Sequence, residues 1–124
     1  MKPKFPKVKK VKKSTLKKKV DQVFSLFIRR HGVCQGSGHG CECGGNLQCA
    51  HIISRWNLRL RWDEMNVLCL CAGHHRYWTN RPLEWADFIR KNFSKQYNYV
   101  MTHKEEKKKM KESDYREVIE RYTE

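Results

Sequence analysis

The sequence predicts a small α+β protein whose modest hydrophobic core is supplemented by a cross-link. Three observations predict it. Apolar residues recur at helical spacing from Leu16 to Ile28 and again from Tyr115 to Tyr122. The run LQCAHII, residues 47–53, has the composition of a short strand. Before it, residues 32–46, GVCQGSGHGCECGGN, hold six of the seven glycines and three of the six cysteines, and a Cys-x-x-His pair follows at Cys71 and His74.

At 124 residues the chain is expected to be one domain with tails. The divisions are a basic arm at 1–13, a central domain at 14–95 and a C-terminal helical extension at 96–124. Lys and Arg number 27 against 13 acids, a formal net charge of +14, and residues 1–20 hold ten lysines and no acid. Such an excess points to a polyanionic partner, most often nucleic acid. No stretch approaches the roughly 18–20 apolar residues of a membrane span. The lysine-rich start lacks the apolar core of a signal peptide, so a cytoplasmic protein is expected.

The elements follow in order. Residues 1–13, MKPKFPKVKKVKK, have little to bury and read as a disordered arm. Its Lys9, Lys10, Lys12 and Lys13 would neutralise phosphates without reading sequence. From Ser14, the residues Leu16, Val20, Val23, Phe24, Phe27 and Ile28 form the apolar stripe of a helix, with Ser14 or Thr15 as cap and Gly32 just past its end. The glycine-rich segment 32–46 is a loop. A strand runs over Leu47–Ile53. A second is expected over Asn57–Trp62, where Leu58, Leu60 and Trp62 alternate with Arg59 and Arg61. Asp63–Asn66 is turn-like. A short helix is expected after His74, and another from Pro82, capped by Asn80, burying Leu83, Trp85, Phe88, Ile89 and Phe93. A short helical segment at Tyr97–Met101 and a solvated charge run at 103–112 lead to a last helix capped by Ser113.

Cysteines and histidines at knuckle spacing favour a metal over disulfides. A structural zinc takes four Cys or His ligands, usually as two close pairs. Cys71 and His74 form one pair. For the other, Cys34 and Cys43 are chosen, with Cys41 as the alternative to Cys43. Cys49 and Cys69 lie in apolar, strand-like contexts and read as buried thiols.

The segment LQCAHIISR…RWDEMNVLCLCAGHHRYWTN resembles the HNH endonucleases, whose ββα-metal centre is two strands, a zinc-knuckle turn and a helix. The wider pattern of VDQVFSLFIRRHG, the cysteines, the His-Ile-Ile-Ser-Arg strand and Asn-x4-Cys-x2-ligand is similar to the phage recombination endonucleases of the lambda NinG/Rap type. The resemblance covers residues 14–95 and implies an HNH-type nuclease domain there. It implies that His51 is the general base, that Asn66 holds the loop and the His51 backbone, and that His75 binds a catalytic Mg2+ or Mn2+. Arg55, four residues beyond His51, would hold the scissile phosphate, with Arg59 and Arg61 as further DNA contacts. Two positions depart from the family pattern. Ala50 stands where many members have an acid or histidine, and Thr79 where many have a further histidine. Asn80, read above as a cap, is the candidate second ligand beside His75 for the catalytic cation, whose shell DNA phosphate and water would complete.

The expected function is therefore a metal-dependent DNA endonuclease acting on branched or recombination DNA in the cytoplasm of a phage's bacterial host. The alternative is a non-catalytic, zinc-stabilised DNA-binding accessory protein. An RNA-binding zinc module is weaker, because no exposed aromatics are seen to interleave with basic residues.

Overall fold

A computed structural model of the chain describes residues 11–123. The order is α1 (Lys13–Arg29), β1 (Leu47–His51), a 3-10 turn (Glu64–Asn66), β2 (Val67–Cys71), α2 (Ala72–Thr79), α3 (Pro82–Asn92), α4 (Ser94–His103) and α5 (Glu112–Tyr122). The class is a small α+β protein. The expected arm, with Lys9 and Lys10, falls mostly at residues 1–10, outside the described residues. Lys12 and Lys13 lie exposed where α1 begins.

The two strands pair antiparallel, with Leu47 opposite Cys71 and His51 opposite Val67. Helices cover both faces of this ribbon. On one face Val67 joins Leu16, Val20 and Phe24 of α1, Tyr115 and Tyr122 of α5, and Trp62. On the other, Ala50, Leu68 and Leu70 pack with Trp78 of α2 and Phe88 and Ile89 of α3. Burial on both sides makes every residue of β2 a core residue, which is why it reads VLCLC without alternation. Its free edge is closed by Gln35 and Gln96. Gln35 exchanges two 2.8 Å hydrogen bonds with the backbone of Cys69, and Gln96 Nε2 donates to the Met65 and Val67 oxygens.

The strand expected at Asn57–Trp62 does not form. Residues 54–63 wind through successive turns, with Asn57 N donating to Ser54 O, Leu60 N to Asn57 O and Asp63 N to Leu60 O. Asn57 Oδ1 also accepts from Leu60 N at 3.1 Å. Turn chemistry at Asn57 thus overrides the alternation of Leu58, Leu60 and Trp62, although Leu60 and Trp62 are buried as expected. The strand beside β1 is the apolar run that follows Asn66.

Smaller expectations change at helix ends. α1 starts at Lys13 without a side-chain cap from Ser14 or Thr15. Asn80 closes α2, its N–H donating to Arg76 O, while Arg81 precedes α3. Leu83 is 87% exposed rather than buried. At α5, Ser113 already lies inside the helix. The cap is made by Asp114, whose Oδ2 accepts from Lys111 N at 2.8 Å. Helix α4 runs across position 95/96, and α5 packs along α1, with Tyr122 edge-on to Phe24 at 5.0 Å between centroids. Met110, within the expected charge run, is buried in that same cluster.

Candidate metal centre and the adjoining histidine cleft

The loop after α1, the end of β2 and the first turn of α2 converge on four side chains. Ligand atoms of Cys34, Cys43, Cys71 and His74 all lie within 4.8 Å of one another. His74 Nδ1 is 3.5 Å from Cys34 Sγ, 3.6 Å from Cys43 Sγ and 3.2 Å from Cys71 Sγ. The other ring nitrogen, Nε2, faces His39 O at 2.8 Å. A carbonyl can only accept, so Nε2 carries the proton and Nδ1 presents its lone pair to the three sulfurs. That is the tautomer a metal ligand requires.

The backbone is arranged around the sulfurs as well. Cys71 N donates to Cys34 Sγ at 3.2 Å, while Gly44 N and His74 N donate to Cys71 Sγ at 3.4 and 3.3 Å. Burial opposes ionisation of Cys71, but these amides and His74 outweigh it and bring the thiol down to about 6. Burial, with the neighbouring thiols, pushes Cys34 up to about 11. Two glycines make the geometry possible. A Cβ at Gly36 would stand 2.9 Å from the His74 ring, and Gly45 takes a φ of 83° in the turn after Cys43. Three sulfurs and one imidazole nitrogen at this spacing suit a tetrahedral ion such as zinc, so the group could hold a metal. Cys43, rather than Cys41, completes it. Cys41 is half-buried outside the group.

Cys49 and Cys69 face each other across the ribbon. Cys69 N and O both turn outward to Gln35, so this is a non-hydrogen-bonded pair with its side chains close together. Both are free thiols; burial raises Cys49 to about 12 and raises Cys69 as well.

A cleft of about 550 Å³ opens between α1, the end of β1 and α2, with Asp21, Arg29, Cys49, His51, Arg55 and His75 among its lining residues. His51 Nε2 donates to Arg61 O at 2.7 Å, which leaves Nδ1 as the unprotonated nitrogen. Burial lowers the pKa of His51, and the nearby Arg55 and Arg61 add to that, against the opposing pull of the Arg61 carbonyl and Asp21. His75 Nδ1 pairs with Gln48 Oε1 at 2.7 Å, so Nε2 keeps its lone pair, and burial lowers this histidine too. Asn66, fully buried, does not reach the cleft. Its Oδ1 accepts from Ile53 N at 2.7 Å, and its Nδ2 donates to Ile53 O and Leu60 O at 3.0 Å, tying both ends of the 52–60 loop.

Arg55 reaches the cleft from a turn, not from a strand face, because β1 ends at His51. Its Nη2 is 3.0 Å from Asp21 Oδ2. Arg61 is held by the same carboxylate at 2.7 Å, and Arg59 by Asp63 at 2.9 Å and Glu106 at 3.0 Å. The charges of Arg59 and Arg61 are thus engaged within the protein. Thr79 Oγ1 donates to His75 O, and Asn80 sits at the helix end. A larger cavity, about 880 Å³, lies elsewhere, between the end of α1 and the start of α4, and neither histidine nor Arg55 lines it.

Sequence reasoning missed Asp21. It receives hydrogen bonds from Arg55, Arg61 and Trp62 Nε1, the last at 2.8 Å. Burial pushes its carboxyl up, but the Arg61 and Trp62 hydrogen bonds and the Arg61 and Arg55 charges outweigh this and hold it below the ordinary carboxylate range. One signal was available, since Asp21 is the only acid in residues 1–41. Gln48 carried no comparable signal.

Fold and site together define a small α+β protein with a Cys3His group that could hold a metal, beside a basic-walled cleft containing two neutral histidines. Compared with known protein families, known proteins and solved structures, the chain matches none.

Proposed function

We propose that the protein is a metal-dependent DNA endonuclease of the HNH type, hydrolysing phosphodiester bonds in branched or recombination DNA of a phage within its bacterial host. The observation that carries the reading is the shared cleft. His51, His75 and Arg55 line one cavity, each histidine with one ring nitrogen spent on a protein oxygen and the other unprotonated.

His51 Nδ1 removes a proton from the water that attacks phosphorus, and the Arg61 carbonyl keeps its ring in the required tautomer. Arg55 holds a phosphate oxygen by exchanging part of its pairing with Asp21. His75 Nε2 would hold Mg2+ or Mn2+, which supplies charge stabilisation to the phosphorane and the leaving oxygen. Asn66 positions His51 through the loop it ties. The Cys3His group holds a structural zinc. The branched-substrate part rests on the sequence resemblance.

One observation favours the non-catalytic reading, a zinc-stabilised DNA-binding accessory protein. Among the described residues, no second group of three His, Cys, Asp or Glu ligand atoms gathers in the way the Cys3His group does. Incubation with supercoiled plasmid and a four-way junction, in Mg2+ or Mn2+ and in EDTA, separates the two. The enzyme nicks or cuts only with the cation, and His51→Ala loses cleavage while still binding DNA. Binding without cleavage in every condition means the accessory reading is correct.

A further inference from the structure

The turn that carries Arg55 also carries Trp56, which is 90% exposed. Tryptophan is ordinarily well buried, and the other three of this chain are buried or half-buried. Trp56 is not at a frayed end. Its N–H donates to Ser54 Oγ at 3.3 Å and Asn57 N donates to Ser54 O at 2.9 Å. Asn57 Nδ2 anchors the turn to Lys104 O at 2.9 Å, and Arg61 Nη1 donates to Arg55 O at 3.3 Å. A well-supported turn thus presents a bare indole to solvent. Both Ser54 and Arg55 line the histidine cleft, and Trp56 follows them directly in the same turn, with consecutive Cα atoms about 3.8 Å apart.

We infer that Trp56 is a stacking platform for an unpaired DNA base next to the phosphate held in the cleft. This inference rests on the DNA reading above. The surroundings identify the ligand. An exposed aromatic face next in sequence to Arg55, on a chain of net charge +14, matches a base attached to a phosphodiester. Bases inside a continuous duplex have both faces covered by their neighbours. An unpaired or extruded base, unlike one inside the duplex, can offer a face to Trp56, so the residue would select DNA with unpaired nucleotides near the cut. The linear sequence does not mark an exposed aromatic among the basic residues. Folding creates one by burying Trp62 and exposing Trp56 within RWNLRLRW.

The test uses the full-length protein with zinc and a duplex bearing a single-stranded thymidine tail. A second duplex carries an abasic tail of equal length, which has the same charge but no bases. The wild type should bind the thymidine tail roughly 5- to 150-fold more tightly than the abasic tail, the range expected for base–aromatic stacking. Trp56→Ala should bind both tails equally, and Trp56→Phe should retain most of the preference. Thymidine-tail binding should quench tryptophan emission in the wild type, and that quenching should vanish in Trp56→Phe although affinity persists. Equal binding of the two tails by the wild type, or an unchanged preference in Trp56→Ala, overturns the inference; the latter is also what a protein-docking role for Trp56 predicts. Plasmid cleavage on the same preparations reports separately on the nuclease reading, which stands or falls without Trp56.

Discussion

His51 and Arg61 are joined by a 2.7 Å hydrogen bond from the imidazole Nε2 to the backbone oxygen, and the Arg61 side chain is in turn held by Asp21 of α1. The candidate base is therefore oriented by a helix thirty residues earlier in the chain, acting through a turn. This chain of contacts ties the candidate chemistry to the packing of α1 and makes several outcomes predictable.

Asp21→Ala removes the common acceptor of Arg55, Arg61 and Trp62. Because the carboxylate is partly exposed, we expect a loss of only about 2 kcal/mol in urea unfolding after allowing for solvent screening. Cleavage should fall further than stability accounts for, as the Arg61 oxygen that orients His51 loses its support. A variant with unchanged unfolding midpoint would mean that this carboxylate does not hold the turn.

Asn66→Ala leaves the Ile53 and Leu60 backbone groups without their side-chain partners in a fully buried site. The expected cost is about 3 kcal/mol, from unsatisfied buried polar groups together with poorer packing. Chemical denaturation measures it directly. A cost below about 0.5 kcal/mol, the range of an ordinary surface substitution, would contradict the role assigned to Asn66.

The pH dependence follows from the lowered pKa of His51. In the unfolded chain this histidine takes up a proton near pH 6.5, whereas in the fold it does so only at lower pH. Its contribution to stability is complete above about 6.5 and is lost as pH falls through the folded value. The acid limb of the cleavage rate should likewise lie below the ordinary histidine range. NMR titration of the His51 ring in the wild type checks the shift. A value at or above 6.5 would be inconsistent with burial as its cause.

Purified protein should carry one zinc per chain by elemental analysis. Cys43→Ser and Cys71→Ser should lose it together with the cooperative melt, while Cys41→Ser keeps both, since Cys41 stands outside the ligand group. Chelation should unfold the 32–46 loop first, because its glycines bury little apolar surface of their own. Full zinc in Cys43→Ser would return the assignment to Cys41.

Removing residues 1–10 deletes five lysines. Affinity for every DNA should fall, and the slope of log affinity against log salt should flatten by up to about 0.9 for each phosphate that is no longer neutralised. Titrations at several salt concentrations measure it, and an unchanged slope would mean that these lysines do not touch phosphate.

Much of this architecture was written locally. The stripe Leu16, Val20, Phe24 and the pair Cys71 and His74 place their side chains by helical or knuckle spacing alone, so α1, α5 and half of the metal group could be read directly. The competition between Cys41 and Cys43 could not, because two cysteines two residues apart in a glycine-rich loop differ only in which one the fold turns toward His74. Nor could the turn at 54–63, where the alternation of Leu58, Leu60 and Trp62 resembled a strand until Asn57 and Asn66 supplied stronger local partners.

The helices, the Cys-x-x-His pair, the basic charge and the closeness of His51 and His75 to a knuckle can all be read along the chain. Folding alone brings those two histidines into one cleft, closes it with Asp21 from α1, pairs Arg59 and Arg61 internally and leaves Trp56 bare. The difference is one of range. Periodicity and ligand spacing act over a few residues, whereas the contacts of Asp21 with Arg55, Arg61 and Trp62 span 34 to 41 residues and exist only once α1 has packed against the ribbon.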